Sequence, residues 1–299
     1  MASFSKRSGL FLSLPNGFPI QHPCLGQWLF HLGWDLARYK LTERVFSARV
    51  QSGRILRNRN EIAYEAIDLG ARWLLMVDPD MDPDPYLGCA EHPQVQPFVG
   101  SSLAFLKSNP FSIIAAPAWI ESPGKQTNVW TSPQDGNPGR RFTDAEAMQR
   151  FKNPAIERVP AIGTGLMLID THVFDIMPEP FFNDVYHDQR MVKLDMTQDV
   201  YFTSRANEAG VGVYCNWYAW CGHHKDQLLL PEPGERPMKR VPIVDDGYSF
   251  AEAAENGQVR AQAEAVVAQA PVNADVGRPF PVNLRPRDAT PESSIEPMA

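Results

Sequence analysis

Apolar positions along this chain follow two periods, and the two alternate. Leu10–Leu14 is a short apolar run closed by Pro15-Asn16-Gly17, the pattern of a buried strand ending in a turn. Between Trp28 and Lys40, Leu29, Leu32, Leu36 and Tyr39 recur near one helical face, whereas Arg44–Val50 alternates as a strand does. Asn60–Leu69 predicts a helix stopped by Gly70. Trp73–Val77 is apolar throughout, as expected of a strand covered on both faces.

The alternation continues further on. Ser112–Ala116, Gly165–Ile169 and Gly212–Tyr218 read as strands, and Thr197–Ala209 reads as a helix ending at Gly210. Glu121–Arg141 is polar and carries Gly and Pro, so it reads as a mobile loop. Strand–helix–strand order of this kind implies an α/β layer structure with a mainly parallel sheet flanked by helices. After about residue 226 prolines crowd together, and from Pro271 onward core residues become scarce. Two segments are therefore expected: a folded domain over 1–230 and a Pro/Ala-rich extension over 231–299, partly helical (Phe250–Ala270) or disordered.

Composition narrows the function. The net charge of −7 argues against a protein that grips nucleic-acid backbones. Cys24, Cys89, Cys215 and Cys221 are too few and too scattered for a disulfide framework, and reduced thiols in a cytoplasmic protein are the expectation. The apolar run after Lys6-Arg7 is too short for a signal peptide, and no stretch approaches the roughly 20 apolar residues of a membrane span.

Candidate chemistry concentrates in Asp78-Pro79-Asp80-Met81-Asp82-Pro83-Asp84, directly after the most apolar strand. Ligands of open α/β sheets bind beyond the carboxyl ends of strands. Carboxylates crowded there repel one another unless a cation is present, and oxygen ligands suit Mg²⁺ or Mn²⁺. An EF-hand loop fails on two positions: Pro83 stands where its glycine is needed, and Cys89 where its glutamate is needed. Gly163-Thr164-Gly165 precedes a strand and permits close backbone approach. Asp199 opens a helix, where an acid serves as a cap or as a general base. In Gly222-His223-His224 the adjacent side chains of an extended segment point opposite ways, so at most one histidine joins a metal there. A zinc site built from Cys215, Cys221 and these histidines is disfavoured, because no CxxC pair is present.

In order, these pieces resemble the GT-A glycosyltransferases, particularly the family 2-like enzymes of bacteria and phages, over residues 9–225. The match takes in Pro15, Arg59-Asn60, the Asp78-Pro79-Asp80 DxD, Gly163-Thr164-Gly165, Pro178–Phe182, Gln198-Asp199-Val200-Tyr201-Phe202 and Gly222-His223. The resemblance implies a Rossmann-like GT-A fold in which Pro15, Arg59, Asp78, Asp80 and Gly165 meet the donor. Asp80 and His223 would bind Mn²⁺ or Mg²⁺, with Asp78 on the ribose or a metal-bound water. Asp199 would be the base of an inverting reaction, although Gln198 stands where a second acid is usual. The implied partners are a UDP- or GDP-sugar and a carbohydrate or other hydroxyl acceptor. Trp119, Trp130 and Trp217 are candidates for stacking on sugar or base, and equally for the core. Two other readings stand: a non-catalytic binding or structural protein on this fold, and a nucleotidyltransferase, which the Leu14–Phe18 segment disfavours because it lacks a Gly-rich phosphate loop.

Overall fold

In a computed structural model, residues 6–15, 23–42, 44–50, 55–120, 126–131, 139–186, 194–224 and 228–229 are described. The expected extension over 231–299 lies outside them. The chain runs β1 (Leu10–Leu14), α1 (Pro23–Tyr39), β2 (Val45–Val50), α2 (Ile55–Asp68), β3 (Trp73–Val77), β4 (Met81–Pro83), α3 (Phe98–Ser108) and β5 (Ser112–Ala115). It continues with β6 (Trp119–Ile120), β7 (Gln126–Trp130), β8 (Arg141–Thr143), α4 (Asp144–Lys152), β9 (Ile156–Arg158) and β10 (Leu166–Asp170). After a 3-10 turn (Thr171–Asp175) come β11 (Val185–Tyr186), β12 (Leu194–Met196), α5 (Gln198–Glu208), β13 (Gly212–Asn216), β14 (Cys221–His224) and β15 (Leu228–Leu229).

Seven strands form the central sheet in the order β2-β1-β3-β10-β5-β13-β9. Five of them run one way, while β10 and β9 run against them. The expected α/β class with a mainly parallel sheet is therefore what the chain forms. Apolar side chains leave β3 on both faces, which is why its sequence shows no alternation. Leu74 and Met76 join a core with Ile62 and Ala66 of α2 and Phe202 of α5. Trp73, Leu75 and Val77 join a second core with Leu25, Trp28, Leu32 and Leu36 of α1 and Leu103 and Leu106 of α3. Gly70 (φ 65°) and Gly210 (φ 84°) take the left-handed turn just beyond α2 and α5, the conformation that ends a helix with least strain.

Three differences from the sequence reading matter for the site. The segment expected as a loop over Glu121–Arg141 contains β7, which pairs with β6 and β8 in a small antiparallel sheet; 121–125 and 132–138 lie outside the described residues. The acidic segment after β3 contains β4, paired antiparallel with β14. Helices α3 and α4 are additional. The second begins in a capping box, Thr143 accepting from the Glu146 amide while the Glu146 carboxylate accepts from the Thr143 amide. Among the described residues no helix is long and apolar enough to cross a membrane.

Candidate active site at the carboxyl end of the sheet

The site begins where β3 ends. The Asp78 amide donates to the Gly165 carbonyl (2.8 Å) and the Met81 amide to the Asp78 carbonyl (3.1 Å), so Asp78–Met81 forms a tight turn against the start of β10. The Asp80 carbonyl then accepts from the His224 amide at 2.8 Å, which begins the β4–β14 ladder. A short acidic sequence is thereby fixed as a turn plus a strand.

Two pairs of side chains follow. Arg59 reaches from α2 and donates through Nη2 to both carboxylate oxygens of Asp78, at 2.9 and 2.8 Å. Its neighbour Asn58 donates to the Pro15 carbonyl at 2.7 Å, so Pro15, Arg59 and Asp78 meet at one place. The second pair is His223 and Asp80, with Nε2 lying 3.1 Å from Oδ2. The other ring nitrogen, Nδ1, lies 3.1 Å from the Trp119 carbonyl. Both nitrogens thus face oxygens that only accept. The Trp119 carbonyl orients the ring through Nδ1 and leaves Nε2 turned towards Asp80, where the two side chains could share a cation.

Burial pushes the Asp78 carboxyl above the usual range; Arg59 pulls it back down, while Asp80 and Asp199 add to the rise by repulsion. Asp199 therefore lies within the electrostatic reach of Asp78. Its Oδ1 accepts from the Thr197 hydroxyl and from the Val200 amide (2.9 Å). A Cβ placed on Gly163 would sit 3.2 Å from the Asp199 Oδ2, so the bare backbone of Gly163 is what lets that carboxylate approach. On Gly165 a Cβ would meet the Met81 Cε at 2.4 Å. Between the two glycines, the Thr164 hydroxyl is buried with no hydrogen-bond partner among the described residues.

All of the site residues expected from sequence converge on this end of the sheet: Pro15, Arg59, Asp78, Asp80, Gly165, Asp199 and His223. Sequence reasoning missed Arg141. Burial lowers its guanidinium pKa, and the Asp199 charge opposes that fall, which puts a cation beside the acidic cluster. It also lies 4.6 Å over the Trp130 ring. The Arg140-Arg141 pair at the end of a polar stretch was the available signal. Of the three candidate stacking tryptophans, Trp119 and Trp217 are core residues packed on Trp220, and only Trp130 keeps partial exposure. Cys215 and Cys221 are fully buried, and burial raises both thiols well above their ordinary range.

The sequence matches no protein-family model and no curated protein. Among solved structures the chain is similar to A197 from STIV, at 13% identity and a TM-score of 0.41 over 79% of this chain and 100% of that one. It is similar to GalNAc-T7 solved with UDP, GalNAc and Mn²⁺, at 11% identity and a TM-score of 0.39 over 74% of this chain and 44% of that one. A third similarity is to a UDP-glucose pyrophosphorylase variant from Leishmania major in complex with UDP-glucose, at 10% identity and a TM-score of 0.30 over 71% and 62%. The functional reading rests on the site's own geometry.

Proposed function

We propose that this protein is a metal-dependent glycosyltransferase of the GT-A type, moving a sugar from a UDP- or GDP-sugar to an acceptor hydroxyl. The observation that carries the reading is the Asp80–His223 pair, with the far side of the imidazole held on the Trp119 carbonyl. A carboxylate oxygen and an oriented imidazole nitrogen 3.1 Å apart fit as neighbouring ligands of one divalent ion. Bound there, Mn²⁺ or Mg²⁺ supplies positive charge against the charge that develops on a departing diphosphate.

The remaining residues divide the work. Asp78, held by Arg59, offers an oriented acceptor to a donor ribose hydroxyl, and the Arg59 charge offsets part of what burial does to that carboxyl. The unsubstituted backbone at Gly163 and Gly165 lets a ligand come close, and the Thr164 hydroxyl gives it a donor. Arg141 supports a negative group next to Asp199. Asp199 accepts the acceptor's hydroxyl proton in an inverting transfer; Val200 and Thr197 fix its Oδ1 and leave Oδ2 for that role.

Thermal-shift titration of UDP, GDP, CDP and dTDP, each with and without Mn²⁺, tests the reading. One nucleotide is expected to raise Tm only with the metal, and the rise is expected to vanish in Asp80→Ala and His223→Ala. Asp199→Asn should keep that binding while turnover falls about 10²-fold or more. Folded protein that responds to none of the four nucleotides would overturn the proposal in favour of a binding or structural role. Release of diphosphate from a nucleoside triphosphate, rather than of nucleoside diphosphate from a donor sugar, would identify a nucleotidyltransferase instead.

A further inference from the structure

Strands β4 and β14 form a ribbon whose two faces carry different chemistry. Met81 pairs with His223 and Asp82 with Gly222, so Met81 and His223 share one face while Asp82 and His224 project from the other. The first face belongs to the site described above. The second is covered by α1, where the Trp28 indole donates to Asp84 Oδ2 at 2.8 Å. Cys24 lies one helical turn before Trp28, and Asp82 lies two residues before Asp84, which stands just past β4 with φ 53°. The Trp28–Asp84 bond holds α1 against the ribbon, and the Cys24 thiol lies near the Asp82 carboxylate.

The result is a set of three different metal-binding groups from three elements. One ligand atom each of Cys24, Asp82 and His224 lies within 4.8 Å of the other two. Asp82 is fully buried and His224 is 6% exposed, while Cys24 keeps partial solvent access. A tetrahedral zinc ion, with bonds of about 2.0–2.3 Å, holds its ligands roughly 3.3–3.8 Å apart, so the trio needs to close by about 1 Å. Thiolate with imidazole and carboxylate is a borderline-soft set, suited to Zn²⁺ rather than to Mg²⁺ or Mn²⁺.

We propose that Cys24, Asp82 and His224 form a second metal site, selective for zinc, on the face of the β4–β14 ribbon opposite Asp80 and His223. The protein supplies three ligands and water takes the fourth position. Binding displaces the thiol proton and ties the start of α1 to the ribbon. Because the His224 amide already holds the Asp80 carbonyl (2.8 Å), the same clamp stiffens the strand that presents His223 on the other face. The inference does not rest on the transferase reading; it stands on a separate set of side chains.

Full-length protein stripped with a chelator and titrated with Co²⁺ provides the test. About one equivalent is expected to produce the near-ultraviolet charge-transfer band of a cobalt–thiolate bond, and Zn²⁺ should displace it. Cys24→Ser should abolish the band, His224→Gln should weaken binding about tenfold or more, and Asp80→Ala should leave it intact. Zinc should also protect Cys24 from alkylation without protecting the other half-buried thiol, Cys89. A wild-type titration without the band, or a band that survives in folded Cys24→Ser, overturns the proposal. The wild-type titration decides without help from any variant, and circular dichroism establishes that the serine variant is folded.

Discussion

β3 and β10 lie side by side in opposite directions, and each end of the pair carries an aspartate bound to an arginine. At one end Asp170 is fully buried and surrounded by donors. Arg72 Nη2 (3.0 Å) and the Phe111 amide (3.1 Å) bind its Oδ2, while the His172 amide (3.1 Å) and Nδ1 (2.8 Å) meet its Oδ1. At the other end Asp78 has Arg59 but also faces the charges of Asp80 and Asp199, and burial raises its pKa further. The two pairs look alike in a list of ion pairs. A carboxylate whose oxygens meet four donors holds the fold together, whereas one that faces two further carboxylates carries a repulsion that its single arginine only partly offsets.

Asp170→Ala should therefore give the largest loss of stability. It strands a guanidinium, an imidazole and two amides around one hole, at about 3–5 kcal/mol. Urea denaturation would show this directly. A loss under 1 kcal/mol would mean that these donors find other partners, and the contrast between the ends would fail.

The Asp78 end should respond asymmetrically. Arg59→Met leaves the buried Asp78 carboxylate facing Asp80 and Asp199 without the guanidinium that binds it, whereas Asp78→Asn removes one of those charges and keeps an acceptor for Arg59. Arg59→Met should cost more than Asp78→Asn by about 1–2 kcal/mol in the same assay. Equal costs would describe an isolated pair and remove the argument for a negative surplus.

How much of this was legible in the sequence depends on the range of the interaction. Buried strands and the glycines that end helices announce themselves locally, so β1, β3, α2 and α5 could be placed from Leu10–Leu14, Trp73–Val77, Gly70 and Gly210. The gathering of Pro15, Arg59, Asp78, Asp80, Gly165, Asp199 and His223 could be anticipated from their order along a resembling family. β4 and β14 could not: three or four residues each, they are strands because they pair with each other across some 140 positions. Arg141 was hidden for the same reason, since β8 forms by pairing with β7. Opposite orientations of His223 and His224 followed from strand geometry alone, but the cysteine beside His224 is Cys24, which no spacing rule connects to it.

A third acid tests what burial does without an array of donors. Burial on α1 pushes the Asp35 carboxyl up to about 6 against the opposing charge of Arg38. The folded state then holds this proton more tightly than the unfolded chain does. The contribution to stability is full below about pH 4 and is lost as pH rises through about 6. Asp35 keeps solvent contact, which screens the effect to about 1–2 kcal/mol. Relative to wild type, Asp35→Asn should gain that much between pH 4 and pH 7 in thermal or urea unfolding. A flat difference across that window would show that the site is wetter than its packing implies.

The smallest effect on stability should come from Gly165→Ala, at the end of β10 that lies against Asp78. The new methyl meets the terminal Met81 Cε at 2.4 Å and Sδ at 3.0 Å, and the end of a methionine can move aside. The loss should stay within about 1 kcal/mol. Met81 cannot move without consequence, however, because it follows Asp80 and pairs with His223. Metal-dependent nucleotide binding should weaken about tenfold, which is 1.4 kcal/mol of binding free energy set against a smaller loss in folding. Calorimetry beside a urea curve separates the two quantities. Weaker binding with near-normal stability would mark this end of β10 as shaped for a ligand; the reverse would make Gly165 a packing residue like those that surround Asp170.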